Sequence, residues 1–269
     1  MIARRAILAA GLALAAGPAF AIDPGVASGH YSRDGVKIDF KHAIALSQDN
    51  AEGLLDHGPQ VRVVLSDVEV PISALCGVVF PSVLGMARKE QVRGVILEFG
   101  PKDPTSMHVT VLAKPEDPQS SLTNVSLSNS SGVFKRLDVN AARVSGDYDG
   151  GEDSDFKFSF SAPVFTDAVT ADLRGADAQK SEQIRVLIAR AEALGKGDLP
   201  AALALSSQGS GLRGVPPDVL KQAAAMPQLV KELKSVKRVV VRRETAVALQ
   251  GDGSWSSLVL ENGVWKVAD

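Results

Sequence analysis

The chain has 269 residues, a formal net charge of −2, 45% hydrophobic and 22% charged residues. That length holds one large domain or two modest ones with real cores, and the composition is that of a globular protein. The balance of charge carries no basic excess and excludes a nucleic-acid binder of the usual electrostatic kind.

The first residues read as an export signal. Arg4-Arg5 is a positive start, Ala6 to Phe20 is apolar, and Ala19-Phe20-Ala21 fits the small-x-small cleavage rule. The run is shorter than the roughly 20 residues that cross a bilayer. It also holds Gly11, Gly17 and Pro18. Residues 1–21 are therefore expected to be a cleaved signal peptide, with no transmembrane helix, and the mature chain to be periplasmic or secreted. Ala3 and Ala9 stand where a twin-arginine signal prefers polar residues, so general secretion is expected. Cys76 is the only cysteine, which excludes an internal disulfide. Its apolar neighbours make it a buried small hydrophobe and not a nucleophile.

Residues 22–166 read as an antiparallel β-sandwich or barrel. Asp34-Gly35 signals a hairpin. Val36, Ile38 and Phe40 alternate with polar residues, and Ile44 and Leu46 continue the Phe40 face. Val61 to Leu65 is aliphatic except for Arg62 and is the expected central strand. Ser66-Asp67 and Pro71 end it at a bend. Asp67 is expected to hold that bend by accepting backbone amides, a structural role. Ile72 to Phe80 reads as a short helix and Gly85 to Glu90 as a polar turn. Strands follow at Val92 to Phe99, Met107 to Leu112, Phe134 to Asp147 and Phe156 to Phe160, with a weaker one at Leu122 to Leu127. Seven or eight strands joined by turns, without a long helical period, predict this class.

Residues 167–180 are small and polar and read as a linker. Residues 181–269 then predict a small α+β domain, helices first and an antiparallel meander after. Ser181 caps a helix with the buried stripe Ile184, Leu187, Ile188, Ala191 and Leu194, stopped by Gly195. Asp198 caps a second helix with Pro200 in its first turn. Asp218 starts a third, broken near Pro227. Strands are expected over 237–243, 245–250, 255–261 and 264–267. Asn262-Gly263 is the tight turn between the last two.

Two resemblances follow from these residues. Ser28-Gly29 leading to Asp34-Gly35, then His42-Ala43, Val63-Val64-Leu65-Ser66-Asp67 and Phe158-Ser159-Phe160-Ser161-Ala162-Pro163 resemble a group of uncharacterised bacterial secreted proteins. That family implies no activity. Gly197-Asp198-Leu199-Pro200-Ala201-Ala202 and the closing Gly263-Val264-Trp265-Lys266-Val267 resemble small cystatin-like or nuclear-transport-factor-like domains. Such domains curl a sheet around helices and host enzymes, binders and interaction modules alike.

Little in the residues points to catalysis. The four histidines, His30, His42, His57 and His108, show no metal-ligand spacing. His42, read on the polar side of its strand, is the one acid–base candidate. No Gly-x-Ser-x-Gly elbow is present. The second domain has no His, Tyr or Cys to serve as an acid, base or nucleophile. Asp147, Asp149, Glu152, Asp153 and Asp155 on a glycine-bearing turn form a candidate calcium site of hard oxygen ligands, although Gly150-Gly151 breaks the usual loop spacing. Lys231, Lys234, Lys237, Arg238, Arg242 and Arg243 read as a solvated face that guards a strand edge. The residues thus predict an exported, non-enzymatic protein without cofactor that binds a small molecule or a protein. The alternatives are an extracytoplasmic enzyme around His42 and a calcium-stabilised adhesion or interaction protein.

Overall fold

The structure, a computed structural model, describes residues 25–33, 35–54, 60–75, 81–100, 107–114, 124–127, 133–151, 156–214 and 226–268. The expected signal peptide, Asp34, His57, Cys76, Glu152, Asp153, Asp155 and the helix start at Asp218 lie outside the described residues. No helix among the described residues is long and apolar enough to cross a membrane.

The first unit is one strongly curled sheet of ten strands. In chain order these are β1 (Val26–Arg33), β2 (Val36–Asp39), β3 (His42–Gln48), β4 (Gln60–Ser66), β5 (Gly94–Phe99), β6 (Met107–Leu112), β7 (Asn124–Leu127), β8 (Val133–Val139), β9 (Arg143–Asp149) and β10 (Phe156–Thr166). Their order across the sheet is β7-β6-β5-β4-β3-β1-β10-β9-β8, with β2 paired to β1. All pairings are antiparallel but one: the far end of β10 runs parallel to β3, Val164 opposite Ala45. The near end of β10 pairs with β1, Phe158 opposite Gly29. One long strand thus serves two neighbours, and the sheet turns sharply there. Gly29 makes the turn possible, since its φ is +107° and a Cβ would lie 2.1 Å from the Lys157 carbonyl oxygen.

The curl is filled with aromatic rings. Phe158, Tyr148 and Phe156 pack as a triangle, with Phe158 stacked on Tyr148 at 5.1 Å and 4.8 Å from Phe156. Phe99 on β5 and Phe134 on β8 meet edge to face at 6.2 Å, which brings distant parts of the strand order together across the interior. On β4, Val61, Val63 and Leu65 point into this core. Val64 points the other way, into a second cluster with Leu46, Val83, Ala87, Ile96 and Leu112. The central strand is therefore buried on both faces, which explains its nearly unbroken aliphatic run.

The second face is covered by α1 (Pro81–Arg88). This helix replaces most of the turn expected at Gly85 to Glu90, because Val83 and Ala87 have apolar sheet to bury against. The expected helix from Ile72 is a single 3-10 turn over Ile72–Ala74 within the described part of that segment. The period also breaks where continuity was expected. Phe40 enters the aromatic core, whereas Ile44 and Leu46 face the α1 side, because the chain steps across at Lys41 between β2 and β3.

The second unit is a five-stranded antiparallel meander of β11 (Val169–Arg174), β12 (Arg238–Arg242), β13 (Thr245–Leu249), β14 (Trp255–Glu261) and β15 (Val264–Val267). The residues expected to be a linker are β11, paired with β12, and α2 (Ala176–Lys180). Their polarity reflects an exposed edge, with Leu173 packed on the core. The helices α3 (Glu182–Gly195) and α5 (Met226–Leu233) flank α4 (Leu199–Ala204) in the chain. Ser181 Oγ accepts the Ile184 amide at 3.3 Å and Asp198 Oδ1 the Ala201 amide at 3.1 Å, so both caps stand as expected. Gly195 stays helical, and the left-handed position that ends α3 is Gly197, φ +72°. Asn262 and Gly263, φ +53° and +75°, make the tight turn between β14 and β15.

Asp67 sits where β4 leaves the sheet. Its Oδ1 accepts the amide of Arg93 at 2.9 Å, and its own amide donates to the Arg93 carbonyl at 2.9 Å. The amide it caps therefore belongs to the chain entering β5, not to its own bend. Ser66 Oγ holds that bend through the Val68 carbonyl at 2.6 Å. Asp67→Ala is expected to lower unfolding free energy by about 0.5–1.5 kcal/mol. Urea denaturation measures it, and an unchanged midpoint would remove the assigned role.

Candidate functional site

The face of the second sheet opposite its helices bears Val240, Arg242, Thr245, Val247, Ser257 and Val259, all buried. These positions alternate with Val239, Val241, Ala246, Ala248 and Leu258, which pack under the helices. A meander exposed on one side would carry polar residues there. Here the face meets the first unit, and at the junction between them distant segments come together.

Arg242 holds the junction. Its side chain is 3% exposed, and its Nε and Nη2 bind Glu52 Oε1 and Oε2 at 2.7 and 2.8 Å in a two-pronged pair. Nη2 also reaches Asp49 Oδ1 at 2.6 Å, and Nη1 the Asp167 carbonyl at 2.7 Å. The carboxylate of Asp167 accepts the Glu244 amide at 3.0 Å and the Thr245 hydroxyl at 2.7 Å. Arg238 adds a bond from Nη2 to the Ala51 carbonyl at 2.8 Å while its Nε binds Asp172 at 2.8 Å. The loop after β3 is thus gripped by two arginines of β12. Only a planar fork with five donors can serve carboxylate and carbonyl partners in this way.

A second buried arginine continues the network. Arg62, 3% exposed on the outer face of β4, donates to Gln48 Oε1 at 2.5 Å and to Glu98 Oε1 at 2.9 Å. Gln48 precedes Asp49 in the chain, so the Arg62–Glu98 pair and the Arg242 clamp hold neighbouring residues at the end of β3. The expected solvated basic face holds only in part: Arg242 is buried. The strand that carries it is not an edge, since β11 covers it.

Beside this clamp the two units leave a cleft of about 400 Å³. Pro71, Ala74, Ser82, Met86, Lys89 and Gln91 line it from the first unit. Gln208, Gly209, Glu244, Val259, Leu260, Glu261 and Asn262 line it from the second. The two units touch at Gly209 on the cleft wall, where a Cβ on Gly85 would lie 2.5 Å from the Gly209 carbonyl oxygen. Glycine in mid-helix is normally unfavourable, and here it permits that approach. Lys89 Nζ donates to the Gln208 carbonyl at 2.5 Å, and Glu261 Oε1 accepts the Gln208 amide at 2.9 Å.

The residues singled out in the sequence lie elsewhere. His42 opens β3, half-buried on the α1 side, opposite Ser66 and Val26. Among the described residues no hydrogen bond joins it to a carboxylate. Of the candidate calcium turn, Asp147 and Asp149 end β9. Asp147 pairs with Arg136 at 2.9 Å, and Asp149 with Lys135 and Lys157 at 2.7 and 3.1 Å. The Arg136 and Lys135 hydrogen bonds hold both carboxyls below the usual range. Among the described residues no group of three His, Cys, Asp or Glu side chains is placed to hold a metal ion. Sequence reasoning missed Arg62, Glu52, Asp49 and Asp167. Its one available signal was an arginine inside an otherwise aliphatic strand, a residue type rarely buried without partners.

Comparisons of the chain with protein-family models, curated proteins and solved structures find no match.

Removing one partner of the clamp strands a buried charge. Glu52→Ala and Arg242→Met are each expected to cost about 3–5 kcal/mol. The double variant should cost less than the sum, because no unpaired charge remains. A double-mutant cycle in urea measures this, and additive losses would refute the coupling. Acid should also weaken the junction. Burial raises the Asp49 carboxyl, but the Arg242 and Ala51 hydrogen bonds and the Arg242 charge outweigh it, leaving the group below its ordinary value. A depressed carboxyl stabilises above its unfolded pKa of about 3.9, and that contribution is lost as pH falls through the folded value. Asp172, drawn down to about 2 by Arg238 and Arg174, acts the same way over pH 4 to 2. The melting temperature should fall below about pH 4, and less steeply in Asp49→Asn.

Proposed function

We propose that this chain is an exported binding protein, without covalent chemistry of its own, that takes a small ligand in the cleft between its two units. The observation that carries the reading is the cleft itself. It is shared by both units, and the segments around it are fixed by a buried ion pair and a glycine contact. A pocket of this size, apolar in part with a few placed polar groups, suits a small molecule. Its polar groups support binding over catalysis. The Lys89 ammonium and the Glu261 carboxylate are both engaged with Gln208, and neither is poised against a nucleophile. Export rests on Arg4-Arg5, the apolar run and Ala19-Phe20-Ala21. The order of helices then meander supports the resemblance of the second unit to cystatin-like or nuclear-transport-factor-like domains.

Met86→Trp should fill the cleft from the α1 side and abolish binding of small-molecule fragments that the native chain binds in ligand-observed NMR. Unchanged binding by a folded Met86→Trp variant would remove the cleft as the site. Mass spectrometry of protein recovered from the periplasm should find the mature chain starting at Ile22. An uncleaved chain kept in the cytoplasm would refute the export reading.

A further inference from the structure

We infer that the chain forms a symmetric dimer through the outer edge of β11, which joins the second sheets of two copies into one continuous sheet. The inference stands apart from the cleft and does not depend on it. β11 ends the order of the second sheet, and among the described residues no strand pairs with its outer side. The opposite edge is treated differently. There the chain after α4 lies against β15: the Val267 amide donates to the Leu205 carbonyl at 2.9 Å, and the Ser207 amide to the Val267 carbonyl at 2.8 Å. The second sheet thus has one edge covered and one edge open, with Val169, Thr170, Asp172 and Arg174 exposed on the open one. An open edge is a template for another strand.

The ladder with β12 fixes which backbone groups face outward. The Gly175 amide donates to the Lys237 carbonyl at 3.0 Å, and the Ala168 carbonyl accepts the Arg243 amide at 3.2 Å, so both residues turn their peptide groups toward the β12 segment. In an antiparallel ladder successive residues bond alternately to one side and the other. Counted back from Gly175, Leu173 and Ala171 bond toward β12, while the N–H and C=O of Arg174 and Asp172 point out of the edge. A second copy related by a two-fold axis at Leu173 sets Asp172 opposite Arg174 of the other copy, twice over. Both are bonded pairs, so the outward N–H and C=O groups of Asp172 and Arg174 are all satisfied. Leu173, packed on the helix core, meets its own copy at the axis.

Charge selects that register and makes a second copy the occupant. Charges guard an edge when they repel a like strand, as lysines do. β11 instead carries opposite charges two residues apart, and the two-fold at Leu173 brings them together. Within one chain the cations are crowded. Arg174 stands opposite Arg238 in the ladder, and like charges so placed repel. A single carboxylate serves both: Asp172 accepts from Arg238 at 2.8 and 3.1 Å and from Arg174 Nη2 at 2.8 Å. Arg174 is 67% exposed, and Asp172 is its ion-pair partner among the described residues. Asp172 of the second copy falls directly opposite Arg174 on its open side, so the four charges alternate around the axis. Surface pairs of this kind are weak singly; they set the register, and the backbone bonds add to them. A contact of one edge is small, so the dimer is expected to form as concentration rises.

The test follows the full mature chain by sedimentation velocity from about 5 μM to about 1 mM, with amide hydrogen exchange on the same samples. The average mass should climb toward twice the monomer. The Asp172 and Arg174 amides should become protected with it, by about tenfold where the dimer prevails. Arg174→Asp sets carboxylate against carboxylate and should raise the dimer dissociation constant about tenfold or more, whereas Arg174→Lys keeps the charge and should stay within about threefold of native. Arg174→Pro removes an outward N–H that the β12 ladder does not use and should weaken the dimer as well. Melting temperatures show which variants are folded, and Arg174→Asp with the amide protection decides if Arg174→Pro is not. A chain that stays monomeric over the whole range overturns the inference and leaves the edge to solvent or to a foreign strand. A dimer unchanged in Arg174→Asp, or formed without protection of those two amides, uses another face and overturns it too.

Discussion

A buried guanidinium has to be matched by charge and by hydrogen bonds, and the join between the two sheets follows from that requirement at Arg242. Taking this cation out of water is costly unless acceptors surround it. Glu52, Asp49 and the Asp167 carbonyl do so from two separate stretches of chain. Asp167 is also the residue at which the first unit ends, and its carboxylate ties the β12–β13 turn. The same few atoms therefore fix where β11 begins, where the β3–β4 loop lies and how the second sheet meets the first. Apolar burial supplies most of the stability of each unit. The ion pair supplies the relative placement, since a flat apolar face such as Val240, Val247 and Val259 could dock in several registers and the fork of Arg242 in few.

The cleft is a by-product of that placement. The two units are held together by the clamp and touch again at Gly85 and Gly209, with the cleft left between them. What remains open is lined by residues with no shared sequence signature: a methionine on α1, a valine on β14, a glutamate at the end of β14 and another in the β12–β13 turn. The cleft therefore depends on docking geometry more than on a motif, and changes at the clamp reach it without touching it.

The curled sheet obeys a different constraint. β10 pairs with β1 along one half and with β3 along the other, and the aromatic cluster around Phe158 fills the resulting concavity. Rings fill such a space because each buries much area at fixed geometry, edge to face or offset. Val61 to Leu65 belongs to this core on one face and to the α1 layer on the other, so it is the strand on which both cores rest.

Local chemistry in the chain by itself determined a good deal. Alternation along Phe156 to Phe160, the Ser181 and Asp198 caps, the Asn262-Gly263 turn and the change from β-rich to mixed composition near Thr166 each act within a few residues. The strands, caps and order of the two units were therefore legible. Only the tertiary structure decided the rest. Residues 169–174 read as a polar linker because their pairing partner, β12, lies far along the chain. Gly85 to Glu90 read as a turn because the apolar sheet under α1 comes from four other strands. Arg62 and Arg242 read as an interruption and a surface charge. Burial of an arginine depends on acceptors that may stand near or far in sequence, Gln48 and Glu98 for one and Glu52 for the other, and no local pattern records which acceptors the fold will bring.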